Sequence, residues 1–61
     1  MQIAIVDDRE EDRAELSACL ENYMKKHQLD YTLTEFEDGE NFLIAAAQVN
    51  FQLVFMEPSI I

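Results

Sequence analysis

The stretch Met1-Gln2-Ile3-Ala4-Ile5-Val6-Asp7-Asp8 decides the fold: an apolar run of strand length stops at two adjacent carboxylates. Continuous apolar character over residues 2 to 6 is what a parallel strand buried on both faces requires, so this strand is expected at the centre of its sheet. The pattern then turns helical. From about Arg9 to Lys26 the apolar positions Leu16, Cys19, Leu20, Tyr23 and Met24 recur at offsets of three and four, with Ala14 extending the stripe at its edge. Acidic residues (Glu10, Glu11, Asp12) load its first turns and basic ones its last, the polarity a helix dipole prefers.

Residues 31 to 36, Tyr-Thr-Leu-Thr-Glu-Phe, are rich in β-formers and partly alternate, which predicts a second strand. It is more polar than the first and is expected at an edge. Asp38-Gly39 supplies a turn and an N-cap for a short helix over about residues 40 to 48, burying Phe42, Leu43, Ala46 and Ala47, with Asn50 closing it. A third strand is expected from Phe51 to Met56, ending at Glu57-Pro58. The order is β-α-β-α-β. Right-handed crossovers with the helices on opposite faces give a parallel sheet of order 2-1-3. In such a sheet the winding reverses between strands one and three, and ligands gather at the carboxyl ends of the strands there. Asp7, Asp8 and Glu57 all border that point. A pair of carboxylates at one strand end suits an oxygen-seeking cation such as Mg²⁺; acidic residues at a helix start are also simply stabilised by its dipole.

Composition narrows the function classes. With 61 residues there is room for one small domain, and a chain of that size buries only about 60% of the surface its unfolded form exposes. Thirteen acidic against four basic residues give a formal charge of −9, and the one basic cluster, Lys25-Lys26-His27, lies at a helix end where cations offset the dipole. No nucleic-acid partner is expected. No apolar run approaches the roughly 18 residues of a membrane span and no signal-like segment opens the chain, so no membrane contact and a cytoplasmic location are expected. The single cysteine, Cys19, lies on the apolar stripe and is expected in the core.

Ile-Ala-Ile-Val-Asp-Asp, the acidic-to-basic helix, Glu-Phe-Glu-Asp-Gly-Glu-Asn-Phe-Leu and Phe-Gln-Leu-Val-Phe-Met-Glu, in this order, resemble the N-terminal half of a response-regulator receiver domain of two-component signalling. The second segment is most like LytTR/AgrA-type regulators. The resemblance covers residues 1 to 61 and implies an α/β, partial flavodoxin-like fold: a truncated receiver-like domain with no output domain. Receivers accept a phosphoryl group from a histidine kinase onto an aspartate after the third strand, with Mg²⁺ held by the acidic pair. Carried over, Asp7 and Asp8 match that pair, the backbone carbonyl of Ser59 matches a further metal ligand, and Glu57 falls on the acceptor position and beside the metal.

Glutamate there departs from the family. In-line transfer demands tight geometry, and a displacement on the order of 1 Å costs about a hundredfold in rate. Glu57 is therefore expected not to be phosphorylated, and Pro58 after it restricts its backbone to extended conformations. A fixed glutamate is also a poor copy of a phosphoryl group, bringing one negative charge where the phosphoryl brings nearly two. The later strands, which in the family carry a hydroxyl residue and a lysine, have no counterpart in residues 1 to 61. The expectation is a non-enzymatic phosphorelay-related domain with weak Mg²⁺ binding. Its partners would be a histidine kinase or another receiver, and its exposed third strand would favour self-association. The alternatives are a non-catalytic module that pairs with a full receiver or kinase, and a small Mg²⁺-dependent phosphotransfer protein using Asp7 as nucleophile.

Overall fold

The computed structural model describes residues 1–56. The elements are β1 (Gln2–Val6), α1 (Glu10–Lys26), β2 (Thr32–Phe36), α2 (Gly39–Ala46) and β3 (Leu53–Met56). The three strands form one parallel sheet in the order β2-β1-β3, as the pattern of apolar runs predicts. β1 pairs with β2 from Gln2↔Thr32 to Val6↔Phe36 and with β3 from Ile3↔Leu53 to Val6↔Met56. Ile3, Ala4, Ile5 and Val6 are all at most 1% exposed, so β1 is the buried axis of the molecule.

Alternation along β1 sorts the core into two layers. Ile3 and Ile5 face α1, where Leu20 and Met24 are buried and Leu16, Tyr31, Leu33 and Phe55 pack against them. Ala4 and Val6 face α2 together with Phe36, and Phe42, Ala45 and Phe51 complete that layer. Phe36 meets Phe42 and Phe51 edge-on at ring separations of 5.6 and 5.9 Å. Such pairs add about 0.5–1.5 kcal/mol each beyond burial.

The helices differ from expectation in which residues they bury. Of the apolar residues of α1, the i, i+4, i+8 line Leu16, Leu20, Met24 packs against the sheet. Cys19, expected in the core, is exposed, as are Tyr23 and Ala14. Three strands make a narrow sheet, and a helix resting on it buries a narrower stripe than its apolar residues could fill. In α2, Leu43 and Ala47 are exposed where burial was expected, and Ala45 packs inward instead. The third strand is shorter than expected, beginning at Leu53, with Phe51 turned into the α2-side core.

The helix ends are closed by local chemistry. Asp38 caps α2 by accepting from the Asn41 amide at 2.8 Å. α1 stops without a glycine: Gln28 takes φ 55°, the Leu29 amide donates to the Met24 carbonyl and the Gln28 amide to the Lys25 carbonyl. This is a Schellman closure with a side chain in the left-handed position that glycine fills at no steric cost. Gln28→Gly is therefore expected to raise stability by about 0.5–1 kcal/mol. Urea denaturation followed by circular dichroism checks it; a loss of stability would mean that the α1 terminus is built differently.

Candidate functional site at the carboxyl ends of the strands

The acidic pair lies where β1 leaves the sheet. The Asp7 amide still belongs to the strand, donating to the Phe36 carbonyl at 3.1 Å. The residue is buried, 7% exposed, and Oδ1 accepts from the Arg9 amide at 2.9 Å. A carboxylate bonded to the amide two residues on is an Asx turn, and here it bends the chain from β1 into α1. Arg9, the N-cap of α1, makes no side-chain capping bond, so Asp7 takes part of that work. Asp8 is exposed.

A cation stands beside them that the sequence reading did not single out. Arg13, in the second turn of α1, donates from Nη1 to the Asp7 carbonyl at 2.6 Å, and its Nε lies 3.3 Å from Glu35 Oε1. The guanidinium thus fastens α1 to the last turn of β1 and to β2, using the fixed fork that arginine alone offers. A spacing of six residues from Asp7 gives no motif to recognise. The available signal was an arginine one helical turn after Arg9, in a helix start otherwise acidic.

Asp7 and Asp8 thus occupy the strand end expected of them. Glu57 and Ser59, the other two expected metal-site residues, lie outside the described residues. Among the described residues no three histidine, cysteine or acidic side chains converge as a metal-binding group. A six-coordinate Mg²⁺ held by two carboxylates would take its remaining oxygens from water or other groups. No pocket lies among the described residues. No helix there is long and apolar enough to cross a membrane. Comparison with known proteins gives no match: no family, no curated protein and no solved structure matches this chain.

The two partners of Arg13 are of unequal weight. Its side chain is 16% exposed while that of Glu35 is 42% exposed, and solvent screening leaves such an ion pair worth about 0–1 kcal/mol. The bond to the Asp7 carbonyl is better sheltered. Arg13→Ala is expected to cost about 1–3 kcal/mol, and Glu35→Gln about 0.5 kcal/mol or less. Urea midpoints of the two variants check this; equal losses would mean that the ion pair, not the carbonyl bond, holds α1 in place.

Proposed function

We propose that this chain is a receiver-like domain of two-component phosphorelay signalling, one that keeps the acidic corner of the phosphorylation site without serving as an efficient phosphoacceptor. The observation that carries the reading is the position of Asp7 and Asp8 at the carboxyl end of the central strand, beside the point where the sheet reverses its winding. Residue-level resemblance to receivers supports it over the 61 residues. On this reading the domain works in the cytoplasm, with a histidine kinase or another receiver as its partner.

The corner would bind Mg²⁺ weakly. Asp8 is exposed, Asp7 already accepts a backbone bond, and the guanidinium of Arg13 sits on the Asp7 carbonyl, so a second positive charge gains less there than in an open acidic pocket. At the position where receivers carry their acceptor aspartate the chain has Glu57. A glutamate is one methylene longer than the aspartate of receivers, and in-line transfer tolerates such a displacement poorly, which argues against transfer to it.

The test combines a Mg²⁺ titration followed by ¹⁵N–¹H correlation with incubation of the chain with Mg²⁺ and a small acyl phosphate. The expected result is progressive shifts centred on Asp7 and Asp8, abolished in Asp8→Asn, and no stable gain of one phosphoryl mass. A stable phosphoryl adduct that survives Glu57→Gln and is lost in Asp7→Asn would overturn the reading in favour of a phosphotransfer protein with Asp7 as nucleophile. No response to Mg²⁺ in the wild-type chain would remove the phosphorelay reading of the acidic pair.

A further inference from the structure

Of the four basic residues, Arg9 and Arg13 stand at the acidic end of the molecule, and their side chains are held very differently. Arg9 is exposed, and its side chain makes no capping bond to the start of α1. The guanidinium of Arg13 is tied twice: Nη1 donates to the Asp7 carbonyl at 2.6 Å and Nε lies 3.3 Å from Glu35 Oε1, with only 16% of the side chain exposed. Glu35 lies in register with Ile5, two residues before Asp7, so the guanidinium is anchored to two strands at once.

A fixed charge and a mobile one act differently on an arriving cation. A long side chain in water swings aside and is screened, whereas a guanidinium bonded to the residue that offers the carboxylate stays where it is unless those bonds break. Glu35 offsets part of the charge of Arg13, but its side chain is 42% exposed and therefore the more strongly screened of the two. Asp8 is exposed beside them, and Glu10, Glu11 and Asp12 fill the first turn of α1, so this end as a whole draws cations in. Arg13 opposes them at Asp7, the one buried carboxylate among the described residues.

On the Mg²⁺ reading of Asp7 and Asp8, on which this rests, we propose that Arg13 is the residue that sets how tightly the acidic corner holds the cation, acting as a fixed positive charge that the cation does not displace. It touches no ligand position. Its effect is electrostatic and opposite in sign to its effect on folding: the bond that fastens α1 to β1 keeps the corner a weak site. Removing the charge therefore loosens the fold and tightens the site together.

Titration with Mg²⁺ alone, followed by ¹⁵N–¹H correlation at about 20 mM and about 500 mM monovalent salt, tests it in the wild-type chain, Arg13→Gln and Arg9→Gln. The expected result at low salt is a midpoint for the Asp8 amide about three- to tenfold lower in Arg13→Gln than in the wild-type chain, a gain that fades at high salt. Arg9→Gln is expected to change the midpoint by less than about twofold. In the wild-type spectrum the Nε–H signal of Arg13 moves with the same midpoint as the Asp8 amide. A purely structural role predicts the reverse, an unchanged or raised midpoint in Arg13→Gln; that result, or equal gains in the two variants, overturns the proposal and leaves Asp7 and Asp8 as the cation site. Absence of any Mg²⁺ response in both the wild-type chain and Arg13→Gln removes that site and the proposal with it. The Nε–H signal needs no variant, so a signal that stays still while the Asp8 amide shifts overturns the proposal even if Arg13→Gln does not fold.

Discussion

Pairing of β1 on both of its edges is the constraint on which the rest of the molecule depends. The Thr32 and Gln52 amides donate to the Met1 and Gln2 carbonyls, and the Asp7 amide donates to the Phe36 carbonyl, so this strand is held along its length by two neighbours that do not pair with each other. Its side chains are the shared floor of both core layers: Ile3 and Ile5 for α1, Ala4 and Val6 for α2. Neither helix has a buried surface without it. The outer strands would have no sheet to join.

The same strand sets what its end can do. Because β1 is central and parallel to both neighbours, its carboxyl end opens between two diverging connections, and Asp7 is held there by the sheet rather than by a loop. The carboxylate turns the chain into α1 through the Arg9 amide, and the guanidinium of Arg13 returns to the Asp7 carbonyl. One residue therefore belongs to the strand, to the helix start and to the acidic rim. A substitution at Asp7 consequently perturbs folding and any cation chemistry together, while the exposed Asp8 separates the two.

Much of this was legible in the sequence, for identifiable reasons. The unbroken apolar run Ile3 to Val6 announces a doubly covered strand, and handedness then fixes the order 2-1-3. Asp38 before Gly39 marks a cap whose bond to Asn41 is present. What escaped depends on dimensions and tertiary partners. The apolar stripe of α1 is wider than a three-stranded sheet can cover, which leaves Cys19 and Tyr23 outside. Arg13 reaches the Asp7 carbonyl and Glu35 only once α1 has folded back along the sheet. The closure at Gln28 hides from a reading that looks for glycine at helix ends. Resemblance to receivers supplied roles for Glu57 and Ser59, which lie beyond the residues described.

The most direct test of the central claim is native-state hydrogen exchange, residue by residue, in the intact chain. If β1 is the axis on which both layers depend, the amides of residues 3–6 exchange slowest and only through global unfolding, with an opening free energy equal to that from denaturation. Amides of β1 that exchange as fast as those of β2, or by local opening while a helix stays protected, would contradict it.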